Sequence, residues 1–268
     1  MGSRLLKLTS VKRSHRGIAQ NATSSLPLPQ FMRRVFDDFI EIRRNVTSFG
    51  KNRVIDGLVK IGHHSVLVLI HCQVGHGRKT RIQEPDRGRV NGFRKVQRVM
   101  QLAHKFSRPV VVCYTDPTSL SCTAITELHE ALGLSKHILS QWYLKVPIIL
   151  VVLTTKIPID IFNIWLADKV IILEDAQFVM NIPERGKNRR IIVNTEVLMR
   201  GGFIDKTIPA PSNLPSHSQA VISYRLGGAL TQMLDEVSHV SPRELIVHRR
   251  VKLAQVEAMI LKLCGLVV

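Results

Sequence analysis

Gly92-Phe-Arg-Lys-Val-Gln-Arg-Val-Met-Gln-Leu-Ala-His-Lys-Phe-Ser-Arg-Pro-Val-Val-Val-Cys-Tyr114 joins two periodicities in one stretch. Val96, Val99, Met100, Ala103 and Phe106 recur at three- and four-residue steps, which places them on one face of an amphipathic helix. The β-branched run that follows, ending at Tyr114, reads as a buried strand. A helix running into a buried strand is a unit of an α/β domain.

Outward from this unit the chain continues in the same style. Upstream, residues 76–90 form a basic loop, residues 52–75 read as a strand pair, and Phe31–Arg44 as an amphipathic helix. Downstream come a helix over Ala124–Leu144, a strand, a further helix and the strand Lys169–Leu173. A Pro- and Ser-rich linker, Ile208–Ser218, separates this core from a helix over Gln219–Val237 and a last helix from Ser241. The expected organisation is a basic extension over 1–30, a domain over 31–210, and a linker with C-terminal helices over 211–268.

Order and spacing here resemble the alpha subunit of bacterial and plastid acetyl-CoA carboxylase carboxyltransferase. The resemblance runs from the helix and strand of residues 92–114 through Val146-Pro147 and Ala167-Asp168-Lys169-Val170 to Pro183-Glu184. It resumes in Gly202-Phe-Ile-Asp-Lys-Thr-Ile-Pro-Ala-Pro211, in Val240-Ser-Pro-Arg-Glu-Leu245 and over Arg249–Leu253. It implies a crotonase-like (ClpP/crotonase) α/β fold, a repeated ββα superhelix with C-terminal helices. It also implies two loops whose backbone N–H groups face the enolate oxygen of an acyl-CoA thioester, and a carboxyltransferase beta-type partner.

Glycine suits such loops because the backbone must approach the substrate closely and at times with positive φ. The family's second loop, Gly-Glu-Gly-Gly-Ser-Gly-Gly-Ala, corresponds to residues 154–161, with Thr154, Lys156, Ile157, Ile159 and Asp160 at glycine positions. Pro158 has no N–H to donate. The first loop corresponds to residues 115–122, where Thr118 and Cys122 replace glycines and Pro117 alone persists. Losing one oxyanion donor costs about 3 kcal/mol of transition-state stabilisation, so these replacements lead to the expectation of a non-catalytic member with no catalytic residue. A structural use is expected instead: Thr154 or Thr155 capping a helix, Pro158 in its first turn, and Ile161, Ile164 and Trp165 on its apolar face.

Charge points toward a polyanion. The chain of 268 residues holds 38 Lys and Arg against 20 Asp and Glu. Residues 1–108 contribute 22 basic and 6 acidic side chains, so the surplus sits in the N-terminal part. Arg13, Arg16, Arg33, Arg34, Arg43, Arg44, Arg78, Lys79, Arg81, Arg87 and Arg89 are the candidate contacts to RNA phosphates, while the family's own use of loops near 78–89 is to frame an acyl-CoA site. Aromatic residues are 5% of the chain, too few for base-stacking platforms, so backbone and shape recognition is expected.

The function expected from charge and glycine loss is a structural protein of an organellar ribosome, contacting ribosomal RNA and other ribosomal proteins. The alternative is an alpha-like subunit of an acetyl-CoA carboxylase complex. The first thirty residues carry Arg4, Lys7, Lys12, Arg13 and Arg16 and no acid, which suits a transit peptide or a retained basic tail and places the protein in mitochondria, with plastids the alternative.

The remaining constellations carry less. Val146–Leu153 is an apolar run of eight residues, too short for a membrane span. Cys72 and Cys113 lie in apolar runs and, with Cys122 and Cys264, show no CxxC spacing, so all are read as reduced thiols. His63, His64, His71, Cys72 and His76 offer metal-ligand chemistry, but His71 and Cys72 alternate across a strand, and no metal or cofactor is expected. Asp116, Glu127, His129 and Glu130 show no acid–base spacing and are read as solvated.

Overall fold

The computed structural model describes residues 8–10, 35–42, 52–73, 87–114, 128–154, 156–158, 165–184, 187–209 and 218–263. Strands β1 (Leu8–Ser10), β2 (Asp37–Ile42), β3 (Asn52–Ile61) and β4 (His64–Gln73) pair antiparallel in sequence order. From β4 the same sheet continues in parallel through β5 (Val110–Tyr114), β6 (Ile148–Val152), β8 (Lys169–Leu173) and β11 (Lys206–Ile208). A smaller sheet joins β7 (Lys156–Pro158), β9 (Gln177–Glu184) and β10 (Lys187–Asn194), with β9 in the middle. Helix α1 (Arg87–Phe106) connects β4 to β5, α2 (Leu128–Trp142) connects β5 to β6, and α3 (Thr195–Arg200) follows β10. Helices α4 (Ser218–Ser238) and α5 (Pro242–Leu263) close the chain.

β5 and β6 are buried at every position, as parallel strands covered on both faces must be, which explains their unbroken apolar sequences. Val96, Val99, Met100 and Ala103 of α1 are buried as the periodicity predicts. Phe106 is not: it is 58% exposed, with Lys105 over its ring. The helix ends there, where Ser107 takes a left-handed φ of 50° and the N–H of Arg108 donates to the carbonyl of Ala103, which itself stays buried.

The segment expected as a helix over 31–44 is helical at Val35 but extended over Asp37–Ile42, the strand β2. Edge pairing to β3 overrides the helical periodicity. Gly57 makes the pairing possible: a Cβ there would lie 2.5 Å from Cε2 of Phe39 and 2.9 Å from the carbonyl of Ile40.

Two buried carboxylates tie helices to the sheet. Asp56 on β3 is fully buried and faces the Lys95 ammonium and the Arg98 guanidinium of α1, each at 2.6 Å. Two cations of the basic N-terminal part are therefore consumed internally. Asp168, just before β8, meets Arg249 of α5, which is buried completely. Helix α5 starts at a capping box in which the Ser241 N–H donates to the Glu244 carboxylate and the Glu244 N–H to the Ser241 hydroxyl, with Pro242 in the first turn.

Candidate active site

Tyr114 and Val152 are register partners at the ends of β5 and β6, and the Leu153 N–H donates to the Tyr114 carbonyl at 2.8 Å. The two segments that the resemblance assigns to the thioester therefore leave the sheet side by side at the carboxyl ends of parallel strands. Ligands of parallel α/β sheets bind at that edge. Next to it, His71 at the end of β4 is buried with its ring 4.5 Å from that of Tyr114.

Thr118, Cys122, Ile159 and Asp160 lie outside the described residues. Thr154 is half-buried. Lys156, Ile157 and Pro158 are strand β7, paired in parallel with Gln177, Phe178 and Val179. This corrects the expected start of a helix capped at Thr154 or Thr155 with Pro158 in its first turn: residues 156–158 are extended and take the edge of β9. Ile157 is fully buried as part of the hydrophobic core. Trp165 is helical and buried, as expected for the apolar face of a helix, with ring centroids 5.8 Å from Phe178 and 5.9 Å from Phe203.

At the opposite ends of β6 and β8 lies the support for this edge. Asp168 accepts the Ile148 N–H at 2.7 Å and both Nε and Nη2 of Arg249, at 2.9 and 2.5 Å. Arg249 donates further to the carbonyls of Gln141, Leu144 and Val146 at 3.0, 2.6 and 2.9 Å. A single guanidinium thus fixes the turn after α2 and the starts of β6 and β8. One turn on, the Lys252 ammonium donates to the Ala167 carbonyl at 3.0 Å, and burial pushes its pKa down to about 8. Residues 167–170 and 249–253 stand out in the sequence through the family resemblance, but nothing local shows that Asp168 and Arg249 are partners.

Of the basic candidates, Arg87 and Arg89 stand in the first turn of α1, not in a loop. Arg13, Arg16, Arg33, Arg34, Arg43, Arg44, Arg78, Lys79 and Arg81 lie outside the described residues. Cys113 is a buried free thiol whose pKa burial drives upward, as its apolar strand predicts. No helix among the described residues is long and apolar enough to cross a membrane.

Sheet order, crossover helices and paired loop exits define a crotonase-like α/β protein. The chain belongs to the acetyl co-enzyme A carboxylase carboxyltransferase-like family, whose model matches residues 21–257. It is 26% identical over 235 residues to the acetyl-coenzyme A carboxylase carboxyl transferase subunit alpha of Aromatoleum aromaticum, covering 82% of this chain and 72% of that one. With the alpha subunit of Heliobacterium modesticaldum it shares 22% identity, covering 83% of this chain and 70% of that one. Among solved structures it resembles the beta subunit of P. aeruginosa geranyl-CoA carboxylase, with a TM-score of 0.51 and 15% identity, covering 76% of this chain and 42% of that chain. The transcarboxylase 12S structure also gives a TM-score of 0.51 and 15% identity, covering 78% of this chain and 40% of that one. The chain thus spans about 70% of these alpha subunits and less than half of these solved chains.

These relatives are named carboxyltransferase subunits, which overturns the expectation of a non-catalytic ribosomal, rRNA-binding protein. Two physical steps misled that expectation. An oxyanion donor is a backbone N–H, which every residue except proline retains, so replacing glycine alters the approach without deleting the donor. Formal charge also overstated the basic surface, because Lys95 and Arg98 face Asp56 and Arg249 is wholly internal.

Proposed function

We propose that this chain is an alpha-type carboxyltransferase subunit that works with a beta-type partner to move a carboxyl group between biotin and an acyl-CoA. The observation that carries the proposal is the pairing of Tyr114 with Val152. It sends both thioester-facing segments out from one sheet edge, in a chain matched over residues 21–257 to the carboxyltransferase family. Backbone N–H groups from within 115–122 and 154–161, other than those of Pro117 and Pro158, which have none, stabilise the enolate oxygen as charge develops there. Arg78, Lys79, Arg81, Arg87 and Arg89 supply cations for the CoA phosphates in place of RNA. The arginine-bearing, acid-free first thirty residues support a mitochondrial location, with plastids the alternative, which imaging of the tagged full-length chain tests.

Co-expression with a beta-type subunit should give a complex that transfers carboxyl from malonyl-CoA to biotin. Changing Arg78, Lys79, Arg81, Arg87 and Arg89 to Gln should raise KM for malonyl-CoA while leaving kcat largely unchanged, since phosphate contacts bind substrate and transition state alike. A stable complex that moves no carboxyl group would refute the assignment.

A further inference from the structure

The β3–β4 hairpin and helix α4 bring together His63, His64 and Asp235, whose ligand atoms all lie within 4.8 Å of one another. Nε2 of His64 is 2.7 Å and Nε2 of His63 is 3.4 Å from the same Asp235 oxygen, Oδ1. The two imidazole rings stand 3.9 Å apart, tilted by 37°.

The fold holds this arrangement in place. Gly62 occupies the first position of a two-residue turn with φ of 58°, which a side chain would strain. Its α-carbon is seated on α4, since a Cβ there would come within 3.0 Å of Thr231 Cγ2. Thr231 lies one helical turn before Asp235, so the contact that seats the turn is on the face that presents the carboxylate.

We propose that His63, His64 and Asp235 bind a divalent transition-metal ion, zinc above all, and that the ion clamps the β3–β4 hairpin to α4. Tetrahedral zinc with bonds of about 2.0–2.1 Å separates its ligands by roughly 3.3–3.4 Å. The His63–Asp235 separation of 3.4 Å already matches, and the His64–Asp235 contact of 2.7 Å is a hydrogen bond that opens slightly when the ion replaces its proton. Two imidazoles select zinc, cobalt, nickel or copper over magnesium and calcium, which prefer oxygen. Exposure of His63 and Asp235 leaves the remaining coordination to water. The neighbouring Glu236 is engaged by Lys169 at 2.8 Å and does not join the set. The site stands at the start of β4, at the other end of the strand from His71 and the thioester edge, and so is independent of the carboxyltransferase reading.

The test uses the full-length chain with any affinity tag removed and metals stripped by a chelator. Zinc titrated by calorimetry should show one saturable site, and cobalt should give a visible absorption band at the same stoichiometry. His63→Ala leaves the His64–Asp235 hydrogen bond in place, so its fold should persist. Its zinc affinity should fall by more than the roughly 10–100-fold cost of losing an outer-shell partner. Asp235→Asn should behave alike, and zinc should raise the Tm of the wild type but of neither variant. No saturable binding, or wild-type affinity in His63→Ala, would overturn the proposal and leave the cluster as a hydrogen-bonded pin.

Discussion

Asp56 and Asp168 are both buried carboxylates that tie a helix to the main sheet, yet their cations live in different surroundings. Lys95 and Arg98 reach Asp56 from α1 with 32% and 20% of their side chains exposed, so each can turn toward water if the carboxylate is lost. Arg249 is fully buried, with its donors taken by Asp168 and three backbone carbonyls, and has no such escape. The difference shows that the worth of a buried ion pair depends on what its survivor can do. A stranded charge in a low-dielectric interior costs far more than one that swings into solvent.

The sharpest way to break the contrast is Arg249→Ala. It strands the Asp168 carboxylate and three carbonyls together, so the loss should be about 3–5 kcal/mol, read as a drop in the urea midpoint. Asp56→Asn keeps the shape and frees two partly exposed cations, so about 1–3 kcal/mol is expected from the same measurement. Equal losses in the two variants would show that exposure of the surviving partner does not govern the cost.

Lys252 sharpens the comparison from the same helix face. Burial lowers its folded pKa from 10.5 to about 8, so the unfolded chain binds the extra proton between those values. Folding stability should therefore carry the full cost of the buried ammonium below pH 8 and recover it as pH rises toward 10.5, by about 3 kcal/mol in all. Lys252→Met should gain on the order of 1 kcal/mol at pH 7, after loss of the hydrogen bond to Ala167. That advantage over the wild type should shrink between pH 8 and 10.5, as thermal unfolding across pH would show.

The C-terminal helix shows why this region resists reading from sequence. Its buried stripe is Leu245, Arg249, Lys252 and Val256, while Val247 and Val251 are half exposed. Hydrophobic periodicity would turn the helix the wrong way, and Arg249 would pass for a solvated residue comparable with the basic loop. Its burial follows from Asp168, 81 residues away, and from carbonyls more than 100 residues away. At the edge where β5 and β6 end, the strands were legible because parallel buried strands announce themselves as continuous apolar runs. Strand β7 was not, since three residues hold no period and only the edge of β9 makes them extended.

The sequence by itself determined the α/β class, the helix and strand of residues 92–114, the hairpin before them and the family pattern, because each rests on local periodicity or on motif order. The tertiary structure alone decided that Asp56 consumes Lys95 and Arg98, that Arg249 is an internal anchor, and that Asp235 meets His64 across 171 residues. Those are choices of partner. Charge and periodicity say which groups need one, but only packing of distant segments sets which is supplied and how much water stays beside it.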